Sequence, residues 1–173
     1  MSTFRPDDNQ EFRDPLVLRM VAFLRGIGLE VGAGTIAEPT VLPGVTVEQG
    51  RLVIDELRLK YPGDVLHEAG HLAVAPPAQR DALDRNVGND GAEEMMAIGW
   101  SYAAALHLGI DPAIVFHADG YRGGGDYLVR NFLEGHFIGL PMLQWVGMTF
   151  DEKRATENGA RAYPHMQSWL REQ

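Results

Sequence analysis

Cysteine is absent from the sequence. A disulfide framework, a thiolate nucleophile and a thiolate metal site are thereby excluded. Positive charge is scarce: 15 Lys and Arg stand against 24 Asp and Glu, a formal net charge of −9. No basic cluster reverses this balance locally, so a nucleic-acid partner, whose phosphates would be repelled, is not expected. Long apolar runs are also missing. An uncharged stretch as long as any in the chain, Met95 to Ile110, includes Gly99 and His107 and is too short to span a bilayer, so no membrane partner is expected. The opening MSTFRPDDNQ has no apolar core of a secretion signal, and the expectation is a cytoplasmic protein. Internal repeats and low-complexity tracts are absent.

What is present suits a globular protein. Of 173 residues, 45% are hydrophobic and 23% charged, enough for one domain with a real core. That domain is expected to span residues 1–173, with residues 1–14 loose. Asp14-Pro15 has the cap-and-proline signature of a helix start, and Leu16, Leu18, Val21, Ala22, Phe23 and Leu24 follow as its apolar face. Gly26 or Gly28 ends it. The glycines from Gly26 to Gly34 faintly echo a dinucleotide-binding loop, but the spacing is wrong and a helix precedes them where a strand is needed. A helix stop and a loop are expected there. Val45 to Val47 and Leu52 to Ile54 read as two short strands joined through Glu48-Gln49-Gly50-Arg51. The alternation Leu57 to Tyr61 fits either a strand extension or a loop.

Pro62-Gly63 then turns the chain into Asp64 to Val74, DVLHEAGHLAV. The segment reads as a helix with Asp64 as N-cap, ended by Pro76 and Pro77. It contains His67-Glu68-Ala69-Gly70-His71, an H-E-x-x-H motif. Residues four apart share a helix face, so both imidazoles can serve one metal ion. Glu68, one position round, can reach a water on that ion as general base. Imidazole and carboxylate ligands suit zinc. Gly70 is costly within a helix and suggests close approach of a neighbour.

A third ligand is required. A third histidine at the metzincin spacing fails, because those positions are Val74 and Pro77. An acidic residue on a following helix remains. Ala92 to Leu108, AEEMMAIGWSYAAALHL, is a helix by composition, apolar enough to be mostly buried, with Glu93 and Glu94 at its start. Asp90 is its expected N-cap, and the polar stretch Ala78 to Gly91 before it is expected to be loop.

This pairing of H-E-x-x-H on one helix with a glutamate on the next resembles the gluzincin-type metallopeptidases. Glu94-Met-Met-Ala97-Ile-Gly-Trp100-Ser101 is similar to the second helix of small bacterial metallopeptidases of the anti-repressor-cleaving type. In those, the ligand glutamate is followed by a small residue three on and an aromatic six on. The resemblance covers roughly Val45 to Leu108 and departs at Ile98, where the family often has a polar residue. It implies a minimal zincin-like fold, zinc on His67, His71 and Glu94 in preference to Glu93, Glu68 as catalytic base, and a peptide or protein substrate.

Beyond Asp111 the chain matches no peptidase pattern. Asp111-Pro112 opens a short helix, and Tyr121 to Gly125 is a glycine-rich loop. His117 and Tyr121 are candidates for stabilising an oxyanion; a surface histidine and a packing tyrosine are the competing reading. A helix from Asp126 to His136, with Tyr127, Leu128, Phe132 and Leu133 inward, a short helix around Pro141 to Trp145, a charged surface stretch from Asp151 to Gly159, and a last helix from Tyr163 complete the chain. Met166, Trp169 and Leu170 anchor that last segment. Trp100 and Trp145 are expected in the core. His107, over three turns and roughly 20 Å beyond Glu94, should not share the metal, and His136 and His165 read as structural or exposed.

The expected fold class is α+β: a mostly helical single domain with a small sheet beside the motif helix. The expected function is zinc-dependent hydrolysis, with a metal-binding or regulatory protein lacking turnover as the alternative.

Overall fold

The Asp14 carboxylate accepts a hydrogen bond from the Leu16 amide at 2.7 Å, and Pro15 follows in the first turn, starting helix α1, Pro15–Gly26. In this computed structural model, residues 11–37, 40–84 and 90–173 are described. Helix α1 buries Val17, Met20, Val21 and Leu24, while Leu18 points outward. Of the residues 1–14 expected to be loose, 1–10 lie outside the described residues, and Phe12 is buried in the core.

Next come strands β1, Val31–Ala33, β2, Val45–Glu48, and β3, Arg51–Ile54, in the sheet order β1-β3-β2. The two expected strands, β2 and β3, pair as an antiparallel hairpin, with Gln49 and Gly50 both at positive φ in the turn. Strand β1 corrects the expected loop. It pairs parallel to β3, Val31 opposite Leu52, and Glu30 O and the Gly34 amide extend the ladder. Three residues with a glycine in the middle carry too little periodicity to announce a strand; the neighbouring ladder makes it one. The outer edge of β1 is covered by side chains. Arg25 donates to Val31 O, Glu11 accepts from the Ala33 amide, and the two pair with each other.

Leu57 to Tyr61 resolves to turns. Helix α2, Asp64–Val74, packs on β2 and β3 on one side and most extensively on α4, Gly91–Leu108, on the other. Gly63, not Asp64, is the α2 N-cap. A Cβ at Gly63 would lie 2.0 Å from Ile114 O, so no capping side chain fits there. Asp64 is instead the first helical residue and is buried. After α2, part of the expected loop folds as α3, Pro77–Arg80, and the Arg80 guanidinium ties Leu72 O, Ala75 O and Arg171 O together. Asn86, Gly88 and Asn89, expected as loop residues, lie outside the described residues.

Helix α4 is capped by Asp90, which accepts from the Ala92 amide at 2.7 Å, and stops at the left-handed Gly109. Its middle, from Met96 to Ala105, is buried, with Trp100 fully enclosed. The remaining helices are α5, Pro112–Val115, α6, Gly125–Leu133, α7, Leu140–Trp145, and α8, Glu152–Asn158, with a 3₁₀ turn at Tyr121–Gly123. Among the described residues these make an α+β, mostly helical single domain, about 47% helix and 8% strand.

Several expectations for the last third need correction. Helix α6 turns Leu128 and Phe132 inward, at helical spacing, and leaves Tyr127 and Leu133 exposed. Helix α7 is too short to bury more than one face; it buries Leu143 and leaves Trp145 84% exposed, so Trp145 is not core. The charged stretch is at the surface but helical, with Asp151 accepting from the Arg154 amide. No helix forms after Tyr163. Proline disfavours helical geometry at the residue before it. The backbone is instead satisfied across the molecule: Gln167 N donates to Met148 O, Arg171 N donates to Ala73 O, and Thr149 bridges to Met166. Met166, Trp169 and Leu170 nevertheless pack against the core as anchors.

Candidate metal centre

The site exists because α2 and α4 approach closely. Gly70 faces Ala97, and a Cβ there would lie 3.0 Å from Ala97 O. Ser101, fully buried in the same seam, lies within hydrogen-bonding reach of Ala97 O at 2.6 Å and Leu66 O at 3.3 Å. With two small residues and one satisfied hydroxyl between the helices, the buried imidazoles of His67 and His71 on α2 reach the carboxylate of Glu94 on α4.

The three side chains converge on one point. Nε2 of His67 and Nε2 of His71 are 3.3 Å apart. Glu94 Oε1 is 3.5 Å from His67 Nε2, and Oε2 is 3.2 Å from His71 Nε2. These donor atoms all lie within 4.8 Å of one another, and they form the only such group of potential metal ligands among the described residues. Glu93 is not in it. The spacing fits a tetrahedral zinc ion: two bonds of about 2.05 Å at about 109° place their ligand atoms about 3.3 Å apart. The donor set fits as well, since three protein ligands leave one tetrahedral position open.

Electrostatics follow from burial. It lowers the His67 pKa to about 4, with His71 acting the same way and Glu94 opposing. The imidazole is therefore neutral, the form that binds metal. Burial also pushes Glu94 upward, but the hydrogen bond from His71 and the field of both imidazoles outweigh it and hold the carboxyl below its ordinary value. Glu68 is raised to about 7, mainly by burial; His71 opposes the rise, and Asp64 and Glu94 add to it.

Of the two oxyanion candidates, Tyr121 is brought to the cluster. Its ring stands edge-on to His67 at 5.3 Å, its backbone is held at φ 52°, and its buried hydroxyl has no hydrogen-bond partner among the described residues. Burial first, then the carboxylates of Asp64, Glu94 and Glu68, drive its pKa well above the ordinary phenol value. His117 is occupied elsewhere. Its Nε2 lies 3.0 Å from Asp64 Oδ1, and its ring stacks at 3.8 Å on Tyr61, whose hydroxyl donates to Asp119. Asp64, Tyr61 and Asp119 were not legible as members of this network, although the i, i+4 spacing of Asp64 and Glu68 already put two carboxyls on one helix face. His107, His136 and His165 are exposed and outside the cluster.

No protein-family model, curated protein or solved structure matches the chain. Among the described residues, no helix is long and apolar enough to cross a membrane.

Proposed function

We propose that the protein is a zinc-dependent hydrolase acting on peptide bonds. The observation that carries this reading is the trio His67, His71 and Glu94, spaced as three corners of a zinc tetrahedron, with Glu68 beside His67 on the same helix. Zinc held by this trio would supply Lewis-acid activation of a water molecule and of the scissile carbonyl.

The chain's own residues supply the rest. Glu68 takes a proton from the attacking water and returns it to the leaving amine. Without metal its carboxyl stands at about 7; a neighbouring cation favours the carboxylate, the proton-accepting form. Tyr121 has a buried, unengaged hydroxyl at the cluster and donates it to the developing oxyanion. His117, bonded to Asp64 at the first residue of α2, holds the start of the motif helix in place.

The test compares the parent with Glu68→Gln, reading zinc by elemental analysis and cleavage of a peptide library by mass spectrometry. One zinc in each, with cleavage reduced about 10²- to 10⁴-fold in the variant, is the expected result. Equal cleavage by both would overturn the mechanism. Zinc in both with cleavage by neither would support metal binding without turnover.

A further inference from the structure

At the far end of α4 from Glu94, the surface has a cavity of about 250 Å³. His107, at its wall, is thirteen residues beyond Glu94 on the same helix, roughly 20 Å away at 1.5 Å per residue. The cavity is therefore separate from the metal centre, and nothing about it depends on the hydrolase reading.

Its lining runs against the character of the chain. In a protein with 24 acidic and 15 basic residues, no carboxylate lines it; Arg161, His107 and His165 do. A further cation, Arg19, reaches the same end of α4 and donates to Leu108 O. The guanidinium of Arg161 makes no hydrogen bond or ion pair among the described residues, and neither does the His165 ring.

The rest of the lining is apolar, including Leu106, Met166 and Trp169. The Trp169 ring is fixed by edge contacts with Phe23 at 5.0 Å and Trp100 at 5.7 Å, and its carbonyl accepts from Trp100 Nε1. The opposite wall is held by the Thr149 hydroxyl on His165 O and by the Thr149–Met166 bridge. The cavity is thus preformed: an indole and two aliphatic side chains on one part, imidazoles and a free guanidinium fork on the other.

We propose that this cavity binds a small aromatic carboxylate, its ring against Trp169 and Met166 and its carboxylate on Arg161. The planar fork of arginine matches the two carboxylate oxygens. A volume just below the usual 300–1,000 Å³ range of ligand sites suits a ring with a short acid arm. A phosphate alone would leave the apolar part unused.

The experiment titrates phenylacetate into the full-length protein, following the histidine ring and indole signals by NMR. Benzyl alcohol and inorganic phosphate are titrated in parallel. Saturable shifts at His107, His165 and Trp169 are expected, with a dissociation constant on the order of 1 mM, the range open to a fragment of this size. Benzyl alcohol and phosphate should each bind about tenfold more weakly or worse, since each keeps half of the recognition. Arg161→Gln should weaken phenylacetate about tenfold at an unchanged thermal midpoint, because its side chain makes no hydrogen bond or ion pair among the described residues; His165→Gln provides an independent second variant, expected to weaken it less. Absence of saturation, equal binding of benzyl alcohol or phosphate, or undiminished binding by Arg161→Gln would each overturn the proposal.

Discussion

Gly70 on α2 lies directly against Ala97 on α4: a Cβ at position 70 would sit 3.0 Å from the Ala97 carbonyl oxygen and 3.2 Å from Ser101 Oγ. The obstacle is largely backbone, so the helices must separate to admit a methyl group. For Gly70→Ala, a helix-propensity gain of about 1 kcal/mol opposes an overpacking cost of about 1–3 kcal/mol, and a net loss of about 1 kcal/mol is expected. Separation also widens the 3.2 Å gap between His71 and Glu94. Zinc affinity should fall about tenfold, the scale of disturbing the support of a metal site. Denaturant unfolding and competition with a chelator check the two parts. A variant as stable and as tight as the parent would remove Gly70 from the account.

The two adjacent glutamates should separate cleanly. Only Glu94 stands with the imidazoles. Glu94→Ala should lose zinc affinity by more than about a hundredfold, because it removes a donor atom itself and not a group that merely supports one. Glu93→Ala should retain the parent's zinc content. Elemental analysis after dialysis reads both, and the opposite pattern would move the third ligand.

Metal-free protein should show opposed pH effects from His67 and Glu68. His67 drops from 6.5 to about 4 on folding, so its contribution is present above pH 6.5 and lost as pH falls toward 4. Glu68 rises from 4.5 to about 7, so the folded state binds the extra proton in that window and stability declines as pH rises through it. Between pH 4.5 and 6.5 the two slopes oppose each other. Glu68→Gln removes only the second. The stability of parent minus variant should therefore fall across pH 4.5 to 7, by up to about 3 kcal/mol at 1.36 kcal/mol per unit. Urea unfolding in chelator at several pH values checks it; a flat difference would mean Glu68 is less buried than the structure has it.

Tyr121→Phe should split stability from catalysis. Its hydroxyl is buried without a hydrogen-bond partner among the described residues, so removing it should leave metal-free stability unchanged or raise it by about 1 kcal/mol. Losing an oxyanion donor lowers turnover about 10²- to 10³-fold. Thermal unfolding and the peptide assay together separate this from a packing role, which would move stability instead.

The mostly helical α+β class and the grouping of His67, His71 and Glu94 were legible in the sequence, and single elements less so. H-E-x-x-H puts two imidazoles on one face by helix spacing alone, and Asp90 and Gly109 mark the ends of α4 through side-chain and backbone preferences that act locally. Ambiguity between Glu93 and Glu94 could not be settled that way, because adjacent positions differ only in which neighbour they face. Strand β1 was missed for a related reason: what makes Val31–Ala33 extended is the ladder of β3, about twenty residues on. Likewise, Tyr163 to Leu170 has helix-like apolar spacing but spends its backbone hydrogen bonds on Met148, Phe150 and its own turns. Residue type alone puts Trp145 inside, and a large aromatic at the end of a one-faced helix need not follow it.

Glu11 and Arg25 do more than their energy suggests. A surface ion pair of this kind is worth under about 1 kcal/mol. Here the same two side chains occupy the Ala33 amide and the Val31 carbonyl, the groups a further strand would use. They stand in for the missing neighbour and close that side of the sheet to templated growth. Losing either would barely register in a melting curve, but it would turn β1 into an open seam for self-association, and its effect would be felt in solubility.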